Sequence, residues 1–228
     1  MKKIFYALSA TTFLFTVFFI SGCSKSSSSS GGGGGSTVSD LVASFTNTNS
    51  ATGTSTIYTF SYDAQNRLIE EQISDGTPTT SYSYGSGTVT QTQGTTTTIY
   101  TLNNAGFAAS DNQGNTYTYD GNGFMTSETN PNGASTVNTV SNNNIVSTVQ
   151  TTSAGVTTNY SFTFASTPNT LKFGRTFLGT DDADLVQTEG INGISYPFSY
   201  TYDSHGRVST EKIVSGSTNL VRTYTYIN

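Results

Sequence analysis

The chain has 228 residues, a net charge of −5 and only 10% charged side chains, so it offers no basic patch to nucleic acid. Apolar residues make up 33%, yet 14 Tyr and 14 Phe stand among a surplus of Thr, Ser, Asn and Gly. Aromatic residues and Thr suit a half-buried pleated surface, Gly and Asn supply turns, and the scarcity of Ala, Leu, Glu and Lys excludes long helices.

Met1-Lys2-Lys3 is a short positive start, followed by an apolar stretch from Ile4 to Ile20. Ile20-Ser21-Gly22 then leads to Cys23, the only cysteine of the chain. This is the pattern of a secretory signal peptide over residues 1–22. Ile20-Ser21-Gly22-Cys23 resembles the lipobox of bacterial lipoproteins, which implies cleavage before Cys23 and acylation of its thiol and new amino group. Several acyl chains anchor stably where one is marginal. A single cysteine also excludes an intrachain disulfide. Residues 23–36 then form a Ser/Gly-rich stalk, from Ser24-Lys25 through Gly31–Gly35, which cannot bury apolar surface and behaves as a flexible coil. No Asp follows Cys23, so outer-membrane placement is expected over inner-membrane retention, with the face of the membrane left open.

The remaining residues, 37–228, read as one all-β domain. Tyr58, Phe60 and Tyr62 alternate with Thr59 and Ser61, and the pattern returns at Tyr82-Ser83-Tyr84, Tyr117-Thr118-Tyr119, Tyr160 to Phe164, Tyr196 to Tyr202 and Tyr224-Thr225-Tyr226. Such alternation marks strands with one packed and one wetter face. The turns repeat as well: Asp63-Ala64-Gln65-Asn66, Asn103-Asn104-Ala105-Gly106, Asp120-Gly121-Asn122-Gly123 and Asp203-Ser204-His205-Gly206, with Ser141-Asn142-Asn143-Asn144 as a weaker copy. Each opens with a side chain that accepts from the backbone two residues on and closes with Gly or Asn, which tolerate positive φ. That chemistry predicts a type I turn and a bulge. The stretch from about 166 to 193 breaks the rhythm, joining Leu171, Phe173, Phe177 and Leu178 to an acidic group. It reads as an insertion with a short helical turn near Asp182 to Val186, plugging an end or covering an edge. The expected fold is an antiparallel meander of roughly 12 to 16 short strands, curled into a barrel or barrel-like twisted sheet.

Tyr62-Asp63-Ala64-Gln65-Asn66-Arg67-Leu68 and Tyr202-Asp203-Ser204-His205-Gly206-Arg207-Val208 resemble the YD repeats of Rhs-type proteins, which build long spiralling β sheets. The whole chain resembles an uncharacterised family of envelope lipoproteins with YD-like hairpins and a porin-like β fold. The family has no established activity, so the resemblance implies no functional residues.

No catalytic constellation and no cofactor motif emerges from the residues. His205 is the only histidine and sits in a turn, so no histidine triad or zinc site can be assembled from ordinary ligand sets. Asp181, Asp182 and Asp184, with Glu189, are weak candidates for a calcium ion, and their spacing departs from an EF-hand loop. Glu70, Glu71, Asp75 and Glu128 are the carboxylates available for glycoside hydrolysis, but Glu70 and Glu71 are adjacent on a strand and face opposite ways. Arg67 and Arg207 occupy equivalent places after a turn, where cross-strand pairing with carboxylates and stacking on Tyr rings is expected, with a ligand clamp as the alternative. The aromatic ladder is expected to be core, with an aromatic-lined ligand cavity as the alternative.

The sequence therefore points to a lipid-anchored, non-catalytic binding or scaffold module with a glycan or envelope-protein partner. The alternatives are a porin-like outer-membrane channel and a carbohydrate-binding or carbohydrate-processing accessory lipoprotein.

Overall fold

In the computed structural model, residues 39–216 and 218–227 are described. The signal peptide, Cys23 and the Ser/Gly stalk lie outside them. The strands are β1 (Val42–Asn49), β2 (Ser55–Tyr62), β3 (Leu68–Ile73), β4 (Thr80–Gly85), β5 (Thr88–Gln93), β6 (Thr96–Leu102), β7 (Ala108–Asp111) and β8 (Thr116–Tyr119). They continue as β9 (Met125–Thr129), β10 (Ser135–Ser141), β11 (Asn144–Thr151), β12 (Thr157–Pro168), β13 (Asp184–Ile191), β14 (Ile194–Tyr202), β15 (Val208–Ser215) and β16 (Thr218–Tyr226). Every strand pairs antiparallel with its neighbours in sequence, and β1 closes on β16 to complete a 16-stranded barrel.

The period-two ladders face as the alternation requires. Tyr58, Phe60 and Tyr62 turn into the barrel with Phe45, Tyr82, Tyr84, Tyr100, Tyr117 and Tyr224, where they join one hydrophobic core. The other face is hydroxyl-rich. Ser44 bonds Thr225 across β1 and β16 at 2.7 Å, Thr118 bonds Ser127 across β8 and β9 at 2.7 Å, and Thr201 bonds Ser209 across β14 and β15 at 2.7 Å. Ile57, Ile69, Ile99 and Val137 interrupt this outer face singly, one on each of four strands.

The repeated turns have the predicted form. Asp63 Oδ1 accepts from the amides of Gln65 (2.9 Å) and Arg67 (3.0 Å), and Asn66 closes the turn at φ +63°. Asn103, Asp120 and Asp203 act in the same way, with Gly106, Gly123 and Gly206 at positive φ. A register shift adjoins each of them, opposite Ser61/Tyr62, Thr101/Leu102, Thr118/Tyr119 and Thr201/Tyr202, which is the bulge that this turn chemistry produces. Ser141 to Asn144 differs. There Ser141 pairs directly with Asn144, and Asn142 and Asn143 both have positive φ, so the connection is a two-residue type I′ turn and not a copy of the others.

All of these turns lie at one end of the barrel, because each joins an even-numbered strand to the next odd one. The same end receives the insertion, whose irregular part is residues 169–183, shorter than expected because β12 runs to Pro168 and β13 starts at Asp184. Its helical turn is a 3-10 turn at Thr176–Leu178; the segment expected to be helical near Asp182 to Val186 instead enters β13, where pairing with β12 takes its backbone donors.

Candidate functional site

The insertion folds back as a plug. It takes wall hydrogen bonds in passing: Val42 N–H donates to Lys172 O (3.0 Å), Leu68 N–H to Gly174 O (3.1 Å), Thr180 N–H to Gly123 O (2.9 Å) and Ala183 N–H to Asn143 O (3.0 Å). Two of its glycines allow this approach. A Cβ on Gly174, at φ +66°, would lie 2.7 Å from Asn66 O, and one on Gly179, at φ +118°, would lie 2.9 Å from Gly123 O. Between these docking points the chain drives Phe173 and Phe177 into the lumen. Phe173 meets Phe60 edge-on at 5.2 Å and Phe45 at 6.3 Å, while Phe177 packs on Tyr100 at 5.0 Å and Tyr82 at 6.1 Å. Aromatic pairs of this kind add about 0.5–1.5 kcal/mol each beyond the area they bury. Arg175 completes the plug by pairing with the inward Glu71 of β3.

The plug fills one side of the lumen. On the other, toward β8–β14, a cavity of about 300 Å³ remains. Its floor is plug residues such as Leu171, Phe173 and Leu178, and its walls include Tyr160, Phe162, Phe198 and Tyr200. Among the described residues only 169–183 leave the wall, so the end opposite the plug is rimmed by short hairpin connections. The inward positions of β10 and β11 are polar and mutually satisfied: Thr148 Oγ1 donates to Asn138 Oδ1 (2.8 Å), and Asn138 Nδ2 to Met125 O (2.9 Å).

Charged groups in the lumen are mostly carboxylates. Glu211 is held on both oxygens, by Arg222 Nη1 (2.8 Å) and by the Tyr224 hydroxyl (2.7 Å). Glu189 of β13 is only 5% exposed, faces Phe162 and Tyr196 across the sheet, and accepts no hydrogen bond among the described residues. Burial raises its pKa, opposed by Arg222 and reinforced by the Glu211 carboxylate. Glu128 is also raised, by burial first, with an Asn130 amide contact pulling the other way. Sequence reasoning had grouped Glu189 with the acidic run 181–184; the structure separates it from them by half a strand and turns it inward.

The weak metal candidates act as plug latches. Asp181 lies 3.6 Å from Lys172 Nζ, Asp182 Oδ1 accepts from Ile145 N–H (2.6 Å), and Asp184 Oδ2 accepts from Asn144 Nδ2 (3.0 Å). Burial pushes Asp182 up to about 6. Among the described residues, no three His, Cys, Asp or Glu side chains stand together as a metal site. Of the carboxylates considered for glycoside hydrolysis, Glu71 is paired, Asp75 caps Thr77 N–H (2.9 Å), Glu70 accepts from Gln72 Nε2 (2.8 Å), and only Glu128 lines the cavity. His205 lies in its turn with Nδ1 3.9 Å from Asp203.

Arg67 and Arg207 are structural. Each donates Nε to the Asp that opens its own turn, at 2.7 and 2.8 Å, and lays its guanidinium over a Tyr of the next hairpin. Arg67 sits 4.1 Å above Tyr84 and Arg207 4.3 Å above Tyr226. The Tyr hydroxyls then reach the neighbouring strand: Tyr84 donates to Leu68 O and Tyr226 to Val208 O. The partner carboxylate is thus local to the turn and not across the strand.

No protein-family profile matches the chain, and no curated protein is similar to it in sequence. Solved structures do match. A crystal structure of a porin-like protein from Bacteroides uniformis superposes with a TM-score of 0.61 at 15% identity, covering 82% of this chain and 98% of the other. A porin-like protein from Bacteroides vulgatus gives 0.59 at 10% identity, with the same coverages. At these identities the likeness concerns the fold, and the fold of this chain is that of a porin-like 16-stranded barrel.

Proposed function

We propose that the chain is a lipid-anchored protein of the cell envelope, placed on the outer membrane through Cys23, whose barrel is a non-catalytic binding module with the half-filled lumen as its site. One observation carries this reading. The aromatic face of the wall points inward around a cavity of about 300 Å³, a size typical of small-ligand pockets, while the chain's own plug closes one end. Both ends of the barrel chain, Leu41 and Ile227, meet at the plugged end, where Ile227 N–H donates to Leu41 O (3.0 Å). The stalk would therefore attach there, leaving the opposite end of the barrel pointing away from the membrane.

A porin-like channel is the second reading, favoured by the closed 16-stranded wall and by the names of the structural neighbours. Against it stand the outward Thr/Ser face and the wall's strand lengths. Spanning strands need about 9–11 residues and an outward apolar band, whereas β7 and β8 have 4 residues each. The chain starting at residue 37 is expected to run as a monomer in detergent-free buffer. A requirement for detergent together with ion conductance in planar bilayers would move the assignment to the channel.

A further inference from the structure

We infer that the lumen takes an organic cation, a protonated amine or quaternary ammonium on a small apolar body, with Glu189 as the carboxylate that receives the charge. This rests on the binding reading above and narrows it to a ligand class.

The charge of the cavity wall is lopsided. Its lining holds Glu128, Asp181, Asp182, Asp184, Glu189 and Glu211, and the only cationic side chain among the lining residues is Arg222. Most of those acids are already engaged: Glu211 by Arg222 and Tyr224, Asp182 by the Ile145 amide, and Asp184 by Asn144. Glu189 is the exception. It is nine-tenths or more buried, it lines the cavity, and its carboxylate accepts no hydrogen bond among the described residues. A buried carboxylate without a donor costs free energy that a bound cation would recover.

The surroundings suit that cation's body. Phe162 and Tyr196 stand directly across the sheet from Glu189, and Tyr160 and Phe198 lie two positions along the neighbouring strands. Rings beside a carboxylate form the environment that holds ammonium groups, since the ring face attracts a desolvated cation. A divalent metal fits this place poorly, because Glu211 beside Glu189 is taken up by Arg222 and Tyr224, and among the described residues no three His, Cys, Asp or Glu side chains stand together as a ligand set. A neutral sugar could stack on the rings, but it would leave Glu189 and Glu211 to share the single cation of Arg222.

The test is calorimetric titration of the full chain in a non-ionic detergent with four probes: 2-phenylethylammonium, its neutral isostere 2-phenylethanol, cellobiose and calcium. The expected result is saturable binding of the ammonium alone, weakened about tenfold or more by Glu189→Gln, the worth of one charge-assisted contact. Glu189→Gln keeps the side chain's shape and removes a like charge from beside Glu211, so its melting temperature is expected to match or exceed the parent's. Phe198→Leu is expected to weaken the ammonium several-fold without altering the preference for charge. If the alcohol or cellobiose binds as well as the ammonium, if calcium alone binds, or if Glu189→Gln leaves ammonium affinity unchanged, the cation assignment is overturned while lumen binding stands. If none of the four binds, lumen binding itself falls.

Discussion

One barrel wall encloses two different interiors. Along β1–β6 the inward positions include the apolar Phe45, Phe60, Tyr82, Val89 and Tyr100 beside a few polar ones such as Glu71, and Phe173 and Phe177 from the plug pack among the rings. Along β10 and β11 the positions lining the cavity are mostly polar, Thr136, Asn138, Thr148 and Gln150 against the single apolar Ile145, and the space beside them stays open. Antiparallel hairpins build both sides, although the β10–β11 turn is of a different type. The inward alphabet therefore decides where the plug settles: apolar rings gain by excluding water against other rings, and a Thr/Asn/Gln wall offers them nothing comparable.

The sharpest way to break this comparison is to truncate one ring on each side. Phe177→Ala is expected to cost about 3–5 kcal/mol, the usual range for a fully buried Phe. Phe162→Ala, on the cavity side, is expected to cost roughly half as much, because its ring already borders empty space. Urea denaturation of both variants measures the pair; equal losses would mean that the two sides are packed alike.

Next in size is the ion pair that fixes the plug to the filled side. Arg175→Met leaves the half-buried Glu71 without its guanidinium, at an expected cost of about 2–3 kcal/mol. The double change with Glu71→Leu is expected to recover most of the loss, since a well-packed apolar pair often replaces a buried ion pair at little cost. Failure of the double variant to recover would assign the effect to packing of the Arg175 stem.

Smaller still is the latch beside the cavity. The pKa of Asp182 is raised in the fold to about 6, so its carboxylate is a liability whenever it is charged. The folded state binds more protons than the unfolded one between the unfolded value near 3.8 and 6. Stability from this group is therefore full below the unfolded value near 3.8 and is lost as the pH rises through 6. Asp182→Asn retains an acceptor for Ile145 N–H and is expected to raise stability by about 2 kcal/mol at pH 7.5 and by nearly nothing at pH 3. Thermal melts at the two pH values decide it; an equal gain at both would refer the effect to packing.

These contrasts also explain what the sequence revealed. Aromatic alternation and the Asp-x-x-Gly turns are local signals, so the strands, the shared inward face and the bulges could all be read from residues such as Tyr58 to Asn66. Closure of β1 on β16 could not, because no local pattern says which distant edge a terminal strand will meet. The insertion was legible from its Phe and Leu content as a segment that plugs an end or covers an edge, but its helical turn fell at Thr176–Leu178, where the plug bends between its two docking glycines. Glu189 was missed as a lumen residue because reading a helical turn before it hid the strand phase of β13. Arg222 carried a usable signal that went unread, a charge in phase with Tyr224 and Tyr226.

The pairing of the first strand with the last has a kinetic side. Ser44 finds Thr225 across a separation of 181 residues, so the ring can be sealed only after every intervening hairpin has formed. Until that moment both terminal strands present unpaired amides and carbonyls, the feature by which chains join edge to edge. Contacts this distant in sequence slow the final step. The interval before sealing is then the period in which one copy can recruit another, and the sealed ring is the state that can no longer do so.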